Sequence, residues 1–303
     1  MKRLFCIVLT VLMAVFCCAC APQEIIVPEK SAGLPVSPEI PENPVETEDF
    51  RAYLPCYYYD EALVRAQIDA ASPCDAYQNI AGAVVPHYAP AMYMAADLLA
   101  SVADAPETVV IIAPNHTGKG PAIQICGNGY YWKSGSLQGN PELATQLAAA
   151  LDVETDDSAA QEDWSASLLV PYLAHYFPET HVVTVLLTRG VGDAALRLLA
   201  GTLAGAAQQQ SLLVLGSADF SHYQDEQTAR ACDAETARIL SEGDTARLLT
   251  LSNAYLDSPE TVSVLLAYAS LLEQEFCRAD GLFETFLQDG RRIAGSYYSY
   301  VII

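Results

Sequence analysis

Three of the five histidines, His87, His116 and His222, sit in one kind of place. Each follows a short apolar run: Ile80–Val85 before His87, Thr108–Ala113 before His116, and Ser211–Gly216 before His222. A continuous apolar run of that length is the pattern of a strand buried on both faces. The loops at the carboxyl ends of such strands line the ligand crevice of an open α/β sheet. Imidazoles far apart in the chain can therefore meet at one rim, and neutral imidazole is a common ligand for zinc, copper and iron. The alternative is three separate loop histidines bonded to backbone. His175, ahead of Tyr176-Phe177-Pro178, and His181, which opens a strand, read as structural or exposed.

The elements that must position these loops alternate. Helical patterns cover Glu61–Ala71, Ala91–Val102, Pro141–Leu151, Ala194–Gln208, Asp225–Ser241, Asp244–Leu251 and Pro259–Glu273. Another spans Ser165–Tyr176, with Pro171 as a boundary or kink. Strands are predicted at the three runs above, at His181–Leu187, and at the closing Arg292–Ile303. Alternating strands and helices predict an α/β domain with a largely parallel central sheet flanked by helices. That domain is expected to span residues 50–303.

The apolar fraction of 52% is ample for a buried core, and 37 acidic against 15 basic residues give a formal charge of −22. Such a surface excludes a phosphate backbone as partner, so no nucleic-acid binding is expected. Residues 1–19 read as a lipoprotein signal peptide: basic Lys2 and Arg3, then the apolar run Leu4–Cys18, too short to span a bilayer comfortably. Cys17-Cys18-Ala19-Cys20 resembles a bacterial lipobox, with Cys17 where leucine is usual. Cleavage before Cys20 would leave its thiol to carry diacylglycerol and the chain anchored, with acyl chains such as palmitate, on the extracytoplasmic face of the cell membrane. Residues 20–49, rich in Pro and Glu, read as a solvated tether. Of the nine cysteines, Cys56, Cys74, Cys126, Cys232 and Cys277 remain for the domain. They contain no Cys-x-x-Cys and read as small buried residues, with a Cys56–Cys74 bridge as the alternative for that pair.

Three blocks carry a family resemblance: Val85-Pro86-His87, Pro114-Asn115-His116-Thr117-Gly118 and Asp219-Phe220-Ser221-His222-Tyr223. Together with Tyr131-Trp132-Lys133-Ser134-Gly135 they resemble the Memo family, whose bacterial members are called AmmeMemoRadiSam system protein B. Order and spacing match from about Tyr53 to Ile303. The resemblance implies a fold similar to class III extradiol dioxygenases, in which two histidines and a carboxylate hold iron(II) and a further histidine acts as acid or base. By motif, His87 and His116 take the imidazole ligand positions and His222 that of the catalytic histidine. Asp219 would orient a ring or bind a water near the metal.

Aligning the last helix back from Val264-Leu265-Leu266 puts Asp257 where many Memo proteins have a cysteine ligand. A carboxylate there completes a two-histidine, one-carboxylate face, which suits iron(II), with copper or zinc as competitors. The competing reading makes Asp257 part of a helix start in which Ser258 caps and Pro259 opens the first turn. The family's usual pocket histidine and glutamate are replaced here by Trp164 and Ser167, leaving Asp163 or Glu162 to compensate. The functions implied are a metal-dependent, dioxygenase-like enzyme acting on a small molecule, or a metal- or ligand-binding lipoprotein or scaffold without turnover.

Overall fold

The structure is a computed structural model that describes residues 52–303. The segments expected to be a signal peptide and a tether, with Cys20, lie outside the described residues. In chain order the elements are β1 (Tyr53–Pro55), α1 (Glu61–Asp69), β2 (Gly82–Val85), α2 (Tyr93–Ser101), β3 (Thr108–Pro114), β4 (Ile123–Cys126), β5 (Gly129–Trp132), β6 (Gly135–Leu137) and α3 (Pro141–Ala150). There follow α4 (Trp164–Ser167), α5 (Val170–Tyr176), β7 (His181–Leu187), α6 (Asp193–Ala207), β8 (Leu212–Ser217), β9 (His222–Gln224), α7 (Glu226–Glu242) and α8 (Thr245–Leu248). The chain closes with α9 (Pro259–Leu271), β10 (Phe276–Gln288) and β11 (Arg291–Ile302).

Among the described residues, eight strands form the central sheet in the order β10-β11-β2-β8-β3-β7-β4, with β9 paired to β11. The α/β class expected from the sequence is the one observed. The middle strands β2, β8, β3 and β7 are parallel, while β11 on one side and β4 on the other pair antiparallel. Side chains alternate across the sheet with the two-residue period of a strand. Val110 and Ile112 of β3 therefore enter one core, with Leu147 of α3, Leu199 of α6 and Leu265 of α9. Val109, Ile111 and Ala113 enter the other, with Leu99 of α2 and Leu173 of α5. That double burial is why the strands read as unbroken apolar runs.

Several details differ from the sequence expectation. The helix expected over Ser165–Tyr176 is two helices, and Pro171 sits in the first turn of the second, where its missing N–H costs nothing. The aromatic-turn block is a hairpin between β5 and β6. It belongs to a small second sheet with β1. Cys56 and Cys74 are free thiols, so the bridge considered above is not formed. No helix among the described residues is long and apolar enough to cross a membrane.

β2 carries the first histidine and depends on a close approach to β8. A Cβ on Gly82 would lie 2.6 Å from the Val214 carbonyl oxygen, which is backbone and cannot rotate away. Gly82→Ala is expected to destabilise the domain by about 1–3 kcal/mol, through strand displacement. A urea unfolding midpoint that does not move would show that the two strands are free to part.

Candidate metal centre

Two turns at the carboxyl ends of parallel strands, after β2 and β3, and the loop between α8 and α9 build one rim. The first is Pro86-His87, directly after β2. His87 is 6% exposed, and its backbone N–H donates to Asp219 Oδ1 at 3.0 Å. Its ring Nδ1 lies 3.1 Å from Ser217 Oγ. The Ser217 hydroxyl spends its own proton on the Ser165 carbonyl at 2.7 Å. Ser217 Oγ must therefore accept from Nδ1–H, which leaves the lone pair of His87 on Nε2.

The second turn follows β3, and Asn115 makes it. Asn115 Oδ1 accepts from Thr117 Oγ1 and from the Gly118 N–H, both at 2.9 Å, while its amide donates to the Lys119 carbonyl at 2.7 Å. Gly118 has φ of 65°, a left-handed conformation that glycine adopts without strain. In this way the Asn-His-Thr-Gly block holds His116 upright. The His116 backbone N–H donates to Asp163 Oδ2 at 2.7 Å, and its ring Nδ1 lies 3.5 Å from Asp163 Oδ1. A carboxylate only accepts, so here too the proton belongs on Nδ1 and the lone pair on Nε2.

The third group, Asp257, sits just before α9. Ser258 caps that helix by accepting from the Thr261 N–H at 3.3 Å, with Pro259 in the first turn. Asp257 is therefore free of the capping role. Its Oδ1 accepts from the Asp219 N–H, and its own N–H donates to the Asp219 carbonyl, both at 3.0 Å. Arg189 fastens the loop from outside, donating to the carbonyls of Leu251, Leu256 and Asp257. Asp257 Oδ2 lies 3.0 Å from His87 Nε2 and 3.8 Å from His116 Nε2. One donor atom from each of His87, His116 and Asp257 falls within 4.8 Å of the others.

This donor set fits a metal ion on the chemistry alone. Two imidazole lone pairs and a carboxylate oxygen face one point, and something positive must lie between them. Without an ion, protons take that place. Burial alone would lower the His116 pKa, but Asp163 and Asp257 push it up to about 9. Burial also works against a charged His87, yet the charges of Asp219 and Asp257 raise its pKa. Asp257 moves the other way: burial would raise it, and the two histidines hold it well below the usual carboxylate range. The Nδ1 partners, Ser217 and Asp163, fix both rings, as outer hydrogen bonds do at metal-bound histidines.

The remaining residues singled out by sequence take different places. Asp219 is half-buried beside the group, with Oδ2 3.7 Å from His87 Nε2, and desolvation raises its carboxyl pKa. It braces the His87 and Asp257 loops. His222 does not lie in a turn, as the sequence suggested, but opens the short strand β9, opposite Gly295 of β11. It stands outside the three-residue group. Its Nδ1 meets the Phe220 carbonyl at 2.7 Å, and because a carbonyl only accepts, His222 also keeps its lone pair on Nε2. His175 is exposed and His181 half-buried.

Trp164 lies flat on the His116 ring, with centroids 4.6 Å apart and planes 9° from parallel, and Tyr58 meets Trp164 edge-on. Ser167 is fully buried and hydrogen-bonded to backbone, accepting from the Tyr57 N–H. Of the two acidic residues considered as compensation, Asp163 reaches the site. Glu162 instead pairs with Lys119 at 2.6 Å. Sequence reasoning missed Ser217, which ends a buried strand, and the Tyr88–Tyr297 stack beside His87, with ring centroids 4.2 Å apart. A polar residue closing an otherwise apolar strand was the one signal available for Ser217.

Comparison with known proteins follows the same residues. The family model Memo, described as Memo-like protein, matches residues 56–280. A MEMO1 family protein of Methanobrevibacter smithii is 30% identical over 147 residues, covering 48% of this chain and 52% of that one. A MEMO1 family protein of Pyrobaculum aerophilum is 30% identical over 185 residues, covering 57% of this chain and 64% of the relative. The chain thus spans about half to three fifths of the length of these curated relatives. Among solved structures, an uncharacterized protein of Escherichia coli K12 aligns with a TM-score of 0.48 and 14% identity, over 74% of this chain and all of that one.

Proposed function

Taking as premise that the chain belongs to the Memo-like protein family, we propose that His87, His116 and Asp257 hold a divalent metal in a dioxygenase-like, metal-dependent oxidoreductase of the extracytoplasmic membrane face. The observation that carries this reading is the shared target of the two imidazoles. Both Nε2 atoms face Asp257 Oδ2, at 3.0 and 3.8 Å, while both Nδ1 atoms are held from behind. Two imidazoles and one carboxylate leave coordination positions open, a pattern that suits iron(II), with zinc and copper as competitors for the same donors. Such an ion, when bound, supplies Lewis acidity or a site for oxygen chemistry.

The protein's own groups do the rest. His222, with Nδ1 tied to the Phe220 carbonyl, accepts a substrate proton at Nε2. Asp219 keeps the His87 and Asp257 loops in register. The substrate is a small molecule. Lipid at Cys20 holds the domain on the membrane, and the acidic surface keeps nucleic acid away.

A second reading is supported by one observation. Trp164 covers a face of His116, and Ser167 brings no reactive group, which suits metal capture without turnover. Oxygen consumption by the iron(II)-loaded chain with a panel of catechols separates the two. Uptake supports the enzyme, and a flat trace with the metal retained supports capture.

Asp163 offers a test of the ring-orienting contact. Asp163→Asn keeps an acceptor for the His116 N–H and removes the charge behind the ring. Metal affinity is expected to fall about 10–100-fold, as it does when such outer partners are lost. A dissociation constant equal to that of the parent would detach Asp163 from the site.

A further inference from the structure

A small cavity lies among α1, α4 and α5, and it shares Tyr58 with the aromatic pair beside His116. About 20 Å³ of it is open to the centre of a water-sized sphere, which is room for one water or one diatomic molecule. Leu63 and Val64 of α1, Met92, Leu168 and Pro171 give it apolar walls.

The polar groups on the same walls are already engaged. Ser167 Oγ accepts from the Tyr57 N–H at 3.3 Å and donates to the Trp164 carbonyl at 3.4 Å. The Tyr172 hydroxyl donates to Gln67, the Tyr59 hydroxyl pairs with Ser134 at 3.0 Å, and Asp60 caps α1. Cys56 adds a thiol whose pKa burial pushes well up, so it stays in the protonated form that is slow to oxidise. A buried water needs about two to four hydrogen-bond partners, and a lone thiol is a weak one. An apolar cavity of this kind stays dry and takes apolar guests.

Two features tie the cavity to the metal centre. Tyr58 lines it and meets Trp164 edge-on, with centroids 5.6 Å apart, and Trp164 in turn lies flat on His116. Tyr58 has φ of 56°, a left-handed backbone that a bulky residue keeps only where its surroundings enforce it. From the other ligand, Ala89 lines the cavity two residues beyond His87, and Gln67 of α1 holds the Ala89 carbonyl at 3.0 Å.

We infer that this cavity holds one molecule of dioxygen beside the metal centre and supplies it there. The assignment rests on the dioxygenase-like reading, which needs oxygen as co-reactant. A polar ligand finds no free partner on these walls, and a larger apolar one finds no room.

Xenon is the probe for the cavity, and nitric oxide is the probe for supply, because it is a diatomic gas that binds iron(II) without turnover. Crystals of the iron(II)-loaded chain pressurised with xenon should show one anomalous peak bounded by Leu63, Val64, Met92 and Leu168. Val64→Phe, which fills the cavity, should lose that peak and keep its iron. In stopped flow it should slow nitric oxide association about tenfold, as an added obstacle of about 1.4 kcal/mol on the path would. The amount of nitric oxide bound at equilibrium should not change. Leu63→Phe serves as a second filling variant, and the xenon map of the parent chain needs neither. An ordered water in place of xenon, no peak at all, or parental nitric oxide rates in a filled variant would each overturn the assignment. Absence of xenon with iron in place defeats the cavity alone, whereas a chain that holds no iron defeats the proposed function and this inference together.

Discussion

Asp257→Asn is expected to yield a folded protein that no longer retains a stoichiometric metal ion. The substitution keeps an oxygen to accept from the Asp219 N–H, so the loop before α9 stays tied to the one after β8. It removes the anion that the two imidazoles share. Structural zinc sites with four protein ligands are worth about 10–16 kcal/mol. One ligand's share is then about 3–4 kcal/mol, or roughly 10²–10³-fold in affinity. His87→Ala should lose as much, and it also strands Ser217 Oγ without its ring partner. The check is metal per chain after anaerobic loading and desalting, alongside circular dichroism. Full retention by Asp257→Asn would remove the carboxylate from the site.

The second large effect is on pH, and it has opposite signs with and without metal. The His116 pKa in the folded chain is pushed up to about 9 by Asp163 and Asp257 against the effect of burial, and His87 is raised as well. An unfolded histidine titrates near ~6.5. A group whose folded pKa is the higher contributes stability that is complete below the unfolded value and lost as pH rises through the folded one. The metal-free chain should therefore lose stability between about pH 6.5 and about pH 9. A metal takes the same Nε2 lone pair only after the proton leaves. Affinity should thus rise about tenfold per pH unit over this range, with at least one proton released per ion. Calorimetry in two buffers of different ionisation heat measures the release. Denaturation midpoints at about pH 7 and about pH 9.5, with and without metal, measure the stability arm. A pH-independent affinity would contradict the arrangement of protons drawn here.

Much of this was legible in the chain. The apolar runs before His87 and His116 announced buried parallel strands because both faces of β2 and β3 are covered by core. Their turns then had to fall at one rim. The edges were less legible. β10 is a half-buried edge strand whose pairing with β11 slips between Arg278 and Asp280, so its alternation is broken and only β11 stood out. Strands β4 to β6 are three or four residues long and carry glycines at their starts or flanks, too short for periodicity to declare itself. At the site, Asp257 was reached through the family resemblance. The helix start of the competing reading is present, with Ser258 as its cap, and the ligand reading rests instead on Asp257 Oδ2 facing the Nε2 atoms of His87 and His116. Ser217 could not be assigned beforehand, because its role rests on a contact across 130 residues of chain, and Asp163 could be named only as one of two acidic candidates, because its contact with His116 spans 47 residues. The replacement of a pocket histidine by Trp164 was visible in sequence, but its flat stacking on His116 was not.

The most direct measurement is an anomalous-scattering map from crystals of the chain loaded anaerobically with iron(II). The expected result is one strong peak about 2.1 Å from His87 Nε2, from His116 Nε2 and from an Asp257 carboxylate oxygen. A map that is empty at that point, or whose ion is held by other side chains, would contradict the metal centre and the function built on it.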